Sequence, residues 1–229
     1  MSAPVTSTES SRTRTLAASG IAGAAIAVVL IGLMHAVATD MNPIQQTISQ
    51  YALGPYDWMF DIGVIVLAVG SALIGAALVR GQVLRARSAA VVLWGAWVVG
   101  LVVVVAFERT RWSEGATLSG SMHRVASIVA FLAIPLAALA TARWGRRTPG
   151  DARIAAWTRW LGIASLLWFV PILVGVALAP SAGVDWWDLI PLGLLERGLA
   201  LTEVAAVVAM GIWAYRGVTD GRTAVTGQV

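Results

Sequence analysis

Six apolar runs, each about 20 residues long, constrain this chain more than any other feature: Leu16–Ala38, Trp58–Val79, Ala89–Phe107, Met122–Ala142, Trp160–Ala179 and Leu192–Ala214. A helix of that length crosses a hydrocarbon core ~30 Å thick, and backbone in lipid must satisfy its own hydrogen bonds. The pattern therefore predicts an all-α, polytopic membrane protein with six transmembrane helices. Charge content agrees, since 12% of residues are charged against about 25% in an average soluble domain. The basic flank of the first run and its Ala36-Val37-Ala38 ending resemble a secretory signal. The run is longer than a signal's apolar core, however, and further spans follow, so an uncleaved helix is expected.

Orientation follows from the arginines, which make up all 16 basic residues. Twelve fall in the N-terminal tail, the second and fourth loops and the C-terminal tail, whereas the other side holds only Arg109, Arg111, Arg124 and Arg197. The positive-inside rule then puts both termini in the cytoplasm, N-in and C-in. Residues 1–15 read as a disordered cytoplasmic tail, 16–215 as the membrane domain and 216–229 as a cytoplasmic tail. Trp58, Trp112, Trp144, Trp157, Trp160, Trp186, Trp187 and Trp213 lie near the expected interfaces, where an aromatic belt belongs. Because the arginines separate apolar runs and do not cover a soluble face, nucleic acid is not an expected partner. The absence of cysteine removes disulfides, thiolate metal sites and cysteine nucleophiles.

The first loop is the longest polar interruption in the first half of the chain. Asn42-Pro43 opens a turn, and Ile44, Ile48 and Ala52 recur at helical spacing around Gln45, Gln46 and Ser49. Gly54-Pro55 closes the segment. The spacing predicts a short amphipathic helix at the outer surface, lying as a lid. Ser49 stands in no G-x-S-x-G context that would mark a nucleophile.

Polar groups gather on the same side. His35 lies about one turn inside the end of the first helix, Asp61 starts the second, His123 and Arg124 open the fourth, and Glu196 and Arg197 open the sixth. Groups so costly to expose to lipid are expected to turn inward and pair. The cluster admits three readings. In a purely structural network, Asp61 and Glu196 neutralise Arg124 and Arg197. In a metal site, His35, His123 and Asp61 hold zinc with a position left for water. In a ligand pocket, Arg124 and Arg197 clamp a lipid headgroup or small anion. Glu203 stands apart in mid-helix, seven residues after Glu196 and on the same face, ~10 Å deeper. A charge at that depth costs at least ~2.5–3.5 kcal/mol, so Glu203 is expected to be a protonated carboxyl or one reached by water. Kinks are expected at Pro135. The small-residue pairs Gly20/Ala24, Ser71/Gly75 and Ala96/Gly100 are expected at helix contacts. Pro135, like these pairs, reads as architecture and not as chemistry.

The late histidine of helix one, Asn42-Pro43, Ile48-Ser49-Gln50-Tyr51-Ala52 and Gly54-Pro55-Tyr56-Asp57-Trp58-Met59 together resemble a bacterial family of six-helix integral membrane proteins catalogued as a domain of unknown function. Ser119–His123 and Gly193–Arg197 are similar to its later landmarks. The resemblance spans roughly residues 16–215 and implies a fold and a membrane location, with no activity, substrate or cofactor. From the residues themselves, the leading expectation is a protein that binds a membrane lipid or small molecule at the outward polar cluster. The candidate residues are His35, Asn42, Ser49, Tyr51, Asp61, His123, Arg124, Glu196, Arg197 and Glu203. The alternatives are a zinc-dependent lipid hydrolase using His35, His123 and Asp61, and a proton-coupled transporter using Glu203 and Glu196.

Overall fold

The computed structural model describes residues 7–107, 109–110, 117–145, 147 and 150–226. Arg111 and Trp112, named above, lie outside them. Among the described residues, seven α-helices form six spans: α1 Ser7–Val37, α2 Asp57–Arg80, α3 Ala89–Ala106, α4 Leu118–Trp144, α5 Ala152–Leu167, α6 Phe169–Ala182 and α7 Leu192–Thr226. α5 and α6 together make one span, Ala152–Ala182, and all six spans are long and apolar enough to cross a membrane. The protein is a multi-pass, all-helical membrane protein, as the apolar runs require.

Several boundaries differ from expectation, each for a physical reason. α1 begins at Ser7, not Leu16: Thr13 Oγ1 bonds Glu9 O and Thr15 Oγ1 bonds Ser11 O, so these hydroxyls bond back onto their own helix. α7 likewise continues to Thr226. The break in a span falls at Trp168, while α4 runs uninterrupted through Pro135. Pro171 has no N–H to give to Leu167 O, four residues earlier, and at that point α5 gives way to α6. Trp58, Trp144, Trp157 and Trp160 are exposed near helix ends, as a belt requires, but Trp213 is fully buried and belongs to the core.

Small residues set the helix crossings, because in lipid the drive to associate is close packing and not apolar burial. α1 and α2 meet at Gly20, Gly23 and Gly70: a Cβ on Gly70 would sit 2.8 Å from Gly20 O. α2 and α3 meet through tryptophan. Trp94 Nε1 donates to Ser71 O at 2.8 Å and Trp97 Nε1 to Ser71 Oγ at 3.0 Å. Gly75 leaves room for the Trp94 ring. α3 meets α4 where Gly100 faces Ala130, whose Cβ a Gly100 side chain would meet at 3.0 Å. α7 packs against α1, α2, α4 and α5. The three expected small-residue pairs thus supply Gly20, Ser71, Gly75 and Gly100 to real contacts.

Candidate functional site

The first loop is built to dock. Asn42 Oδ1 accepts from Ile44 N at 3.0 Å, and Gln46 Oε1 accepts from Asn42 N at 2.6 Å, fixing the Asn-Pro turn. Thr47 and Gln50 form a capping box that starts a 3₁₀ helix, Ile48–Leu53, where an α-helix was expected. The loop then lies on the first turns of α7. Leu194 N donates to Ile44 O at 3.0 Å, Arg197 Nη1 to Gln46 O at 2.7 Å, and Ile48 N to the Glu196 carboxylate at 2.6 Å. Any Cβ on Gly193 would collide with Pro43 O and Gln46 O. The Asn-Pro loop and the Gly-Leu-Leu-Glu-Arg segment are therefore two halves of one joint.

Arg197 is the hub of that joint. Its Nε donates to His35 Nε2 at 2.8 Å, its Nη1 also donates to Gly193 O at 2.7 Å, and its guanidinium carbon lies 5.2 Å from the Tyr51 ring centre. Tyr51 stacks at a tilt on His35, ring centres 4.5 Å apart. His35 Nδ1 donates to Ile31 O at 2.6 Å, so both imidazole nitrogens are committed and the ring is the neutral tautomer that accepts from arginine. One polar atom of the hub has no partner among the described residues, the buried Arg197 Nη2.

On either side of this layer lies open space. One cavity, about 830 Å³, is lined by polar residues of the first loop with Asp40, Tyr56, Trp187 and Asp188. The other, about 380 Å³, lies inside the bundle. Its walls are apolar residues of α1, α2, α3, α4 and α7, with Phe60, Trp97 and Phe131 among them, and its polar groups are His35, Ser49, His123, Ser127, Glu196, Arg197 and Glu203. Val28 on α1 and Leu201 on α7 line it and yet are 46% and 65% exposed, so the cavity reaches the lipid-facing surface. Both lie about 14 Å of helix from the first-loop ends of α1 and α7, within the hydrocarbon layer. Glu203 is 0% exposed, and neither of its carboxyl oxygens has a partner among the described residues.

The expected cluster is thus only partly assembled. His35, Ser49, His123, Glu196, Arg197 and Glu203 share the inner cavity. Tyr51 faces the outer one. Asn42 is exposed and serves the turn. Asp61 pairs with Arg109 at 2.9 Å, and Arg109 also covers the Phe60 ring. Arg124, one of the two arginines that Asp61 and Glu196 were expected to neutralise, turns its Nε back to Gly120 O at 3.2 Å and is not part of the cavity wall. The arginine clamp of Arg124 with Arg197 is therefore not formed. His123 Nδ1 donates to Val104 O at 2.8 Å and Phe107 O at 3.2 Å, tying α4 to the end of α3. No group of three His, Cys, Asp or Glu gathers closely enough for a metal among the described residues. The expected zinc ligands part company because His35 is held by Arg197, Asp61 by Arg109, and His123 by carbonyls.

Phe60, Trp97, Phe131 and Ser127 were not foreseen as lining residues. No spacing rule distinguishes an apolar side chain facing a cavity from one facing a neighbouring helix.

A family model described as "Protein of unknown function (DUF998)" covers residues 21–213. No curated protein and no solved structure matches the chain.

Proposed function

The chain belongs to the DUF998 family of proteins of unknown function, and from that premise and the cavity within its helices we propose that it binds an amphiphilic molecule, a membrane lipid or lipid-like small molecule. The reading places the protein in a bacterial inner membrane with the first loop on the outer side, in keeping with the arginine distribution. The ligand enters sideways from the bilayer past Val28 and Leu201, lays its apolar body against Phe60, Trp97 and Phe131, and turns a polar group toward Ser49 and Arg197. The observation that carries this is the 380 Å³ cavity, with the exposed apolar residues Val28 and Leu201 on its rim and Ser49 and Arg197 on its first-loop side. Its size falls within the ~300–1,000 Å³ of small-molecule pockets. Arg197 Nη2, buried without a partner among the described residues, supplies the donor such a polar group needs.

Ala200→Phe tests the reading, because Ala200 lines the cavity and is only partly buried, so that a ring there occupies the space without replacing core. Native mass spectrometry of protein extracted in mild detergent and incubated with a total bacterial lipid extract should show a bound amphiphile. Ala200→Phe should lose it while keeping its thermal transition. A parent protein without bound mass, or equal bound mass in both proteins, refutes the proposal.

A further inference from the structure

Among the described residues, every charged side chain around the inner cavity except Glu203 makes at least one hydrogen bond. Glu196 accepts from Ile48 N, and Arg197 holds His35 and two carbonyls. Glu203 has both carboxyl oxygens buried and without partners among the described residues, on a wall that includes the aromatic rings of Phe60, Trp97 and Phe131. A carboxyl facing apolar space without a hydrogen bond is costly unless something completes it. Arg197 Nη2 apart, the imidazoles of the wall offer a ligand no donor. His123 donates through Nδ1, which leaves Nε2 as a lone pair, and His35 has no proton to spare for a ligand. Aromatic faces and a carboxylate together are the chemistry that receives an organic cation.

We infer that Glu203 is a cation-binding carboxylate, and that the ligand is an amphiphile bearing a cationic amine seated beside Glu203. This rests on the cavity being a ligand site, as proposed above. The exchange balances in charge: the carboxyl carries a proton when the cavity is empty, and that proton leaves to water as the cation pairs with the carboxylate. The charged and titratable groups that share the cavity with Glu203 are His35 on α1, His123 on α4, and Glu196 and Arg197 on α7; α2 and α3 contribute none to its wall. Binding of a permanent cation should therefore tighten as pH rises, with one proton released per cation.

Two isosteric probes separate the inference from the reading beneath it: benzyltrimethylammonium, and the neutral hydrocarbon neopentylbenzene, in which carbon replaces the charged nitrogen. Binding to the full chain in lipid nanodiscs is followed by calorimetry in two buffers of different protonation enthalpy, which counts protons released. The parent should bind the cation at least tenfold more tightly than the hydrocarbon and release about one proton. Glu203→Gln should lose tenfold or more for the cation, release no proton and bind the hydrocarbon within twofold of the parent. Hydrocarbon binding without preference for the cation, or a preference that survives Glu203→Gln, overturns the inference and leaves the cavity reading standing. Binding of neither probe overturns both.

Discussion

Gly193→Ala sets two physical effects against each other, which makes its outcome diagnostic. Gly193 sits in the first turn of α7, and replacing glycine by alanine in a helix ordinarily stabilises it by up to ~1 kcal/mol. Here the new methyl would stand 2.7 Å from Pro43 O and closer still to Gln46 O, where ordinary contact begins at 3.4 Å. The loop must lift by more than half an ångström. The Arg197 Nη1 bond to Gln46 O, now 2.7 Å, and the Leu194 N bond to Ile44 O, now 3.0 Å, then lengthen past useful range. A hydrogen bond from a charged group contributes about 1.5–3 kcal/mol and a neutral one about 1. The joint should therefore weaken by roughly 2.5–4 kcal/mol, which at tenfold per 1.4 kcal/mol is a 10²- to 10³-fold loss of local protection.

Hydrogen exchange read by mass spectrometry over peptides covering 42–54 measures this directly. Ile48 N is the decisive amide, because its acceptor, the Glu196 carboxylate, belongs to α7 and not to the loop. Peptides around Trp97 and Ile134, deep in the bundle, should exchange as in the parent. Protection of 42–54 that stays within threefold of the parent, or rises as helix propensity alone would have it, refutes the reasoning that Gly193 is a docking surface.

Ser71→Ala should destabilise the protein by about 1–3 kcal/mol, because it strips the acceptor from a Trp97 indole that is 2% exposed; Ser181→Ala, at an exposed hydroxyl, should stay within about 0.5 kcal/mol. Equal thermal shifts for the two would mean that the Trp97 bond does not hold α2 to α3. The chain has no cysteine, so single cysteines report topology without background. Gly54→Cys should react with a membrane-impermeant maleimide in intact cells, and Arg85→Cys only after permeabilisation. The reverse pattern would invert the orientation read from the arginines.

Much of this architecture is legible from the sequence because the bilayer imposes one rule on every segment. Any apolar run long enough must be a helix, whatever its neighbours, so six spans follow without knowing a single contact. The small-residue pairs were legible for the same reason, since Gly20 and Gly100 announce close approach. Boundaries were harder. Thr13 and Thr15 look like tail residues in composition, yet each satisfies its hydroxyl on the helix four residues back, which no run of hydropathy reveals.

The site was half legible, and the missing half has a specific cause. Depth along a helix can be counted, so His35, Glu196 and Arg197 could be assigned to one level, and they do meet. Azimuth cannot be counted across helices whose rotation is set by packing. Asp61 and Arg124 share that level too, but Asp61 reaches Arg109, and Arg124 bonds back to Gly120 O on its own helix. Charge balance pointed to four groups neutralising one another; the fold instead keeps Arg197 with a neutral imidazole and two carbonyls, and leaves the Glu203 carboxyl unanswered. A network selected only for stability would close its charges, since one uncompensated buried group costs more than the pair contributes. Glu203 shares its cavity with the hydroxyl of Ser127, the imidazoles of His35 and His123 and the guanidinium of Arg197, and among the described residues none of them bonds it. An acid kept apart in this way, facing space that opens to the lipid, is better explained by a visitor than by the fold.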